Sequence, residues 1–197
     1  KNQHGYSALD YSANYPLLNG FLRTGQNPVS LIDKARIPEY ISIAVDFYWS
    51  GKYGETVDLI EKILPGIEEQ FGAADTSNYG MMLSYAAYSA YMKEDYISAE
   101  KYYLKTIDVF HKANVRSPMY NYSLFYLNKM YREQGIFEKA EYTFGLLNES
   151  HKTNSGELSD AYFQSLTDFA SFYQDYSRPL QAIAVYKNLM DLKLKRF

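Results

Sequence analysis

Residues 83–103 read LSYAAYSAYMKEDYISAEKYY. Leu83, Ala86, Ala87 and Ala90 fall at i, i+3, i+4 and i+7, the spacing of one buried helical face. A polar break, Lys93-Glu94-Asp95, interrupts the rhythm. Tyr96, Ala99 and Tyr103 then open a second helix. Small residues at Ala87 and Ala99 let the two helices approach closely. The stretch is a helix–turn–helix.

Working outward, the same pattern recurs three more times. The turn and second helix return as Gly51-Lys52-Tyr53 with Thr56 and Ile60, as Gly135-Ile136-Phe137 with Ala140 and Phe144, and as Ser177-Arg178-Pro179 with Ala182 and Tyr186. The first helix returns as Tyr40, Ile43, Ala44 and Phe47, as Leu124, Leu127, Asn128 and Tyr131, and as Leu166, Phe169, Ala170 and Tyr173. The small anchors Thr56, Ala99, Ala140 and Ala182 are 43, 41 and 42 residues apart. Gly51 and Gly135 suit the left-handed end of a helix, and Pro179 suits the first turn of the next. One such hairpin cannot bury its own apolar face, so copies must stack into a continuous core.

The pattern resembles the tetratricopeptide repeat (TPR) family, whose unit runs W-x2-L-G-x2-Y and then A-x3-F. The resemblance covers residues 37–197. The period of about 42 is longer than the usual ~34, and is similar to the extended repeats of kinesin light chains and bacterial multi-repeat proteins. The family's first-helix Gly is replaced by Ala44, Ala87, Asn128 and Ala170, and its closing Pro is present only as Pro65. The resemblance implies an all-α, right-handed superhelical solenoid of about four repeats, approximately 37–75, 76–116, 117–154 and 155–197. Residues 1–36 read as an N-terminal helical cap or degenerate repeat. The links are expected at 72–77, 113–118 and 153–156, with Thr76, Ser117 and Ser155 as N-caps. The last helix runs on with no polar capping element, which leads us to expect a longer natural chain, or self-association through that end.

Composition excludes several function classes. With 20 Lys and Arg against 23 Asp and Glu, the net charge is −3, which does not favour nucleic-acid binding. No apolar run is long enough for membrane insertion. Without cysteine there is no disulfide, thiolate nucleophile or Cys-ligated metal, and cytoplasm, periplasm and cell surface all remain compatible. Among the three histidines, His111 and His151 fall near the ends of second helices, where the helix dipole favours them. No His spacing supports zinc. No phosphate loop or nucleophile elbow is present. Glu68, Glu69, Glu138 and Glu141 read as solvated outer faces. Asn121-Tyr122-Ser123 and Asn148-Glu149-Ser150 match a glycosylation pattern. We expect no catalytic residues, no metal and no cofactor.

The chain holds 22 Tyr, 11 Phe and a single Trp. In the family the first helix of each repeat lines the concave face. The resemblance therefore projects Ile41, Val45, Tyr48 and Trp49 there, then Ser84, Tyr85, Tyr88, Tyr91 and Met92, then Phe125, Tyr126, Lys129 and Arg132, and finally Thr167, Asp168, Ser171, Gln174 and Asp175. Tyr103, Tyr131 and Tyr186 are expected to pack between helices. Lys129 and Arg132 share a face and could receive a carboxylate or phosphate. The carboxylate clamp of the chaperone-binding subclass is missing, since its places hold Ile41, Val45, Ser84 and Tyr88. The expected function is a non-catalytic scaffold for a protein or extended peptide, a module of a larger regulatory or signalling protein. Its binding residues would be Tyr48, Trp49, Tyr85, Tyr88, Tyr91, Phe125, Lys129 and Arg132. The alternative is a surface glycan- or small-ligand-binding protein.

Overall fold

The computed structural model describes residues 33–115 and 117–196. Expectations for residues 1–32, His4 included, lie outside the described residues. A 3₁₀ turn at Lys34–Arg36, capped by Asp33, leads into α1 (Ile37–Trp49) and α2 (Tyr53–Phe71). A π turn at Thr76–Gly80 then opens α3 (Met81–Met92), followed by α4 (Tyr96–Lys112). Next come α5 (Pro118–Glu133), α6 (Phe137–Ser155), α7 (Asp160–Asp175) and α8 (Pro179–Arg196). No strand occurs among the described residues. Consecutive helices pack as hairpins, α1 with α2, α3 with α4, α5 with α6 and α7 with α8. The chain divides into two compact units at residues 113 and 114.

Each hairpin closes by the same device. Residue 51, 94, 135 or 177 adopts a left-handed φ, of 72°, 62°, 70° and 55° in turn. The next amide then reaches back to a helical carbonyl: Lys52 to Phe47 at 2.9 Å, Asp95 to Ala90 at 3.0 Å, Ile136 to Tyr131 at 2.8 Å and Arg178 to Tyr173 at 2.8 Å. These bonds satisfy carbonyls that a helix end otherwise leaves open. Gly51 and Gly135 adopt this conformation without Cβ strain. Glu94 and Ser177 adopt it against a steric cost.

The helix interfaces close over the small positions. Ala44, Ala87, Ala170, Thr56, Ala99 and Ala140 are fully buried, and Ala182 and Asn128 nearly so. The N-terminal unit packs Ile37, Ile60, Ile63, Ile67, Leu83 and Tyr103 around them; the C-terminal unit packs Tyr120, Leu124, Leu127, Met130 and Phe172. Each such side chain contributes roughly 1.5–3 kcal/mol relative to exposure.

Local expectations need correction in four places. Asp75, not Thr76, caps the π turn, accepting from the amides of Asn78 and Tyr79. Ser159, not Ser155, caps α7 through a 3.1 Å bond from the Tyr162 amide. Ser155 is still helical because Gly156, at φ 94°, is what ends α6. Pro65 closes nothing, since α2 runs past it to Phe71. Tyr186 lies 36% exposed, whereas Tyr103 and Tyr131 are buried.

Candidate functional site

Four register positions on each first helix define the candidate face. In the N-terminal unit they hold Ser42, Val45, Tyr48 and Trp49 on α1, and Tyr85, Tyr88, Tyr91 and Met92 on α3. In the C-terminal unit they hold Tyr126, Lys129, Arg132 and Glu133 on α5, and Asp168, Ser171, Gln174 and Asp175 on α7.

The N-terminal set builds a continuous wall of rings. Tyr48 stacks on Tyr85 with centroids 4.2 Å apart and planes at 21°. Trp49 meets Tyr48 edge-on at 5.1 Å, and Tyr88 meets it at 5.7 Å. Tyr53 and Tyr96 join from the second helices, against Tyr88 at 6.0 Å and Tyr91 at 6.1 Å. Offset and edge contacts of this kind add about 0.5–1.5 kcal/mol each beyond area burial. Tyr48 and Tyr85 are thereby buried, and burial pushes the Tyr85 phenol up against an opposing hydrogen bond with Trp49. Tyr88 and Tyr91 are half-buried, while Trp49 is 62% exposed. Trp49, Tyr88 and Tyr91 therefore present the accessible surface, and Tyr48 and Tyr85 hold it rigid. The sequence pattern places no second-helix residue on this face, yet Tyr53 and Tyr96, the repeat's own aromatic helix-start residues, join it.

The C-terminal set builds a cleft instead. A space of about 510 Å³ opens between α5, α6 and α7, walled by Phe125, Leu147, His151, Gln164, Asp168 and Phe172. A second hollow of about 560 Å³ adjoins it, and Phe125, Asn128, Arg132 and Asp175 line both. Phe125 is 52% exposed at the lip. Arg132 Nη2 pairs with Asp175 Oδ2 at 3.0 Å, and its guanidinium lies 5.8 Å from the Phe172 centroid. Lys129 Nζ lies 3.8 Å from Glu133 Oε1 and 6.0 Å from the Tyr126 ring. The two cations expected to receive a carboxylate or phosphate are thus matched by carboxylates of their own.

Behind the cleft sits buried polar structure. Asn128 Nδ2 donates to the Ala140 carbonyl at 2.6 Å and to Thr143 Oγ1 at 3.2 Å, bridging α5 and α6. Asn148 Oδ1 accepts from Ser165 Oγ, and Asn148 Nδ2 has no hydrogen-bond partner among the described residues. Asn148 is buried and both Asn121 and Asn148 sit within helices, so neither glycosylation match is a presented loop. The exposed His111 keeps its place in the last turn of α4. His151 does not act at a helix end: it lines the cleft, and burial pushes its pKa down, with Asp168 partly opposing.

Two of the carboxylates read as solvated, Glu68 and Glu141, prove to be cross-links, and Glu61 is a third, while Glu69 and Glu138 stay exposed. Glu141 accepts from the Tyr173 hydroxyl at 2.7 Å and Glu68 from Tyr79 at 3.2 Å; Glu61 accepts from Tyr102. Burial and these carboxylates push the Tyr102 and Tyr173 phenols up. Among the described residues no cluster of three or more His, Asp or Glu could hold a metal. No described helix is long and apolar enough to cross a membrane.

No protein-family model matches the sequence. No curated protein matches it as a relative. Solved structures do match in fold. A putative kinesin light chain of Podosopora anserina with nearly identical TPR-like repeats superposes at a TM-score of 0.66, with 12% identity, over 96% of this chain and 88% of that one. BtubC (BKLC) from P. vanneervenii gives 0.59 and 14%, over 95% and 68%. The apo form of RapI gives 0.65 and 11%, over 98% and 66%. The chain has the TPR-like helical-repeat fold.

Proposed function

We propose that this chain, a TPR-like repeat, is a non-catalytic scaffold that grips an extended segment of a protein partner. The wall on α1 and α3 supplies the anchor. One observation carries the reading: Trp49 stands exposed on rings that are already locked against one another. A pre-formed aromatic surface binds without an ordering cost to the scaffold, and Trp and Tyr are the residue types that dominate interface energetics. The same stacking counts against a glycan platform, because Tyr48 and Tyr85 cover each other's faces.

The test is capture from a peptide library by the full chain, followed by calorimetric measurement of affinity for the captured peptide. Trp49→Ala or Tyr88→Ala is expected to weaken capture at least tenfold, about 1.4 kcal/mol. Undiminished capture by both folded variants would sink the reading.

Self-association through α8 has its own support. Leu180, Ile183, Met190 and Leu194 are exposed and follow one another at spacings of three, seven and four, a helical stripe opposite the buried Ala182, Leu189 and Leu192. Phe144, in the register place of Tyr186, is covered by Phe169 and Phe172 of α7. A second copy covering the α8 stripe would give a dimer in sedimentation that Met190→Glu dissociates. A concentration-independent monomer rules that out.

A further inference from the structure

We propose that the cleft between α5 and α7 is a specificity pocket for an arginine side chain of the bound peptide. The inference rests on the scaffold reading, and it assigns the second unit a separate task.

The wall of the cleft is rich in acceptors. Asp168 has no ion-pair partner among the described residues, and its carboxylate accepts only a 2.9 Å bond from Gln164 Nε2. That bond leaves the Gln164 carbonyl oxygen unused. Ser171 Oγ donates to the Thr167 carbonyl at 3.1 Å, so its lone pairs are what it offers. Two donors of the cleft are already engaged, Arg132 on Asp175 and Asn128 on Ala140 and Thr143. A ligand facing Asp168, the Gln164 carbonyl and Ser171 should donate hydrogen bonds. Arginine has five N–H donors and no acceptor, and its planar fork matches a carboxylate. An anion would face Asp168 and Asp175 together.

The apolar part of the cleft fits the same ligand. Phe125, half-exposed at the lip, offers a ring face to a stacked guanidinium, and Leu147 and Phe144 can take the methylene stem. The cleft already shows this chemistry once, since Arg132 lies over Phe172 and pairs with Asp175. His151 does not compete for Asp168 at neutral pH, because burial keeps its imidazole uncharged.

The experiment uses the full chain, isotopically labelled, and two tripeptide probes, acetyl-Ala-Arg-Ala-amide and its citrulline counterpart. Citrulline keeps the shape and removes the charge. The arginine probe is expected to shift α5 and α7 resonances saturably at millimolar concentration, at least fivefold more tightly than citrulline. Asp168→Asn should erase that preference, while Glu138→Gln, exposed on α6, should leave it. Equal binding of the two probes, an unchanged preference in Asp168→Asn, shifts confined to other helices, or no saturable shift up to about 10 mM would each overturn the proposal. The two readings fail separately. Capture indifferent to Trp49→Ala removes the aromatic anchor without touching the tripeptide result. Indifference to Asp168→Asn removes the pocket and leaves the anchor.

Discussion

The two units place different chemistry on the same four register positions. On α1 and α3 those positions carry Tyr48, Trp49, Tyr85, Tyr88 and Tyr91, and the rings fill the space by packing on one another. On α5 and α7 they carry Lys129, Arg132, Asp168 and Asp175; charges pair across short gaps, and about 510 Å³ stays open. The backbone device is shared down to the turn hydrogen bonds. The repeat therefore specifies where a face lies, and the side chains decide whether it becomes a wall or a cleft. Flat rings can tile a surface, whereas ion pairs hold side chains upright and leave room between them.

The largest expected effect probes where aromatic rings act as core and where they act as surface. Phe172 is 1% exposed and touches Phe137, Phe144, Phe169, Tyr173 and Tyr176. Phe172→Ala should cost about 3–5 kcal/mol in denaturant unfolding. Trp49→Ala, at the accessible edge of the other unit, should cost less than about 1 kcal/mol. Similar losses from the two variants would mean that Trp49 is core, and the contrast between an exposed anchor and a packed interior would collapse.

A smaller effect sharpens what the units share. Two hairpins turn on glycine and two do not. Glu94→Gly and Ser177→Gly should each stabilise by about 1 kcal/mol, because the left-handed strain at those residues is removed. Gly135→Ala should cost a similar amount through φ alone, since a Cβ there would meet nothing within 4 Å. Thermal melts that rank these variants otherwise would show that the four turns are not equivalent.

Much of this architecture is legible in the sequence, and its limits have physical causes. Periodicity locates the hairpins because a small residue recurs wherever two helices touch, and all of those positions are buried. The family resemblance also projects Tyr48 and Tyr85 onto one side of their helices. It cannot say that they stack on each other, because that depends on the neighbouring repeat's ring arriving at the same height. The same blindness hides the Glu61–Tyr102 and Glu141–Tyr173 cross-links, whose partners lie 41 and 32 residues apart. Tyr186 fails for the opposite reason: its register place is core in the other three repeats, where Ile60, Tyr103 and Phe144 are buried, yet here it stays open. One local departure did signal the cleft. Asn128 stands where the other repeats have Ala, and it lines the hollow.

The smallest effect tests the electrostatics of that cleft. Burial lowers the folded-state pKa of His151 below its unfolded value, so the unfolded chain binds the extra proton more readily. The penalty is absent above the ordinary histidine pKa near 6.5, grows as pH falls below it, and is complete below the folded value. His151→Gln should flatten this part of the stability profile between about pH 7 and 5, measured against the parent chain at constant ionic strength. Asp168 opposes the shift, so Asp168→Asn should steepen the same slope. A parent profile that His151→Gln leaves unaltered would mean the imidazole is solvated. The cleft would then be wet enough to blunt the charge discrimination between arginine and citrulline.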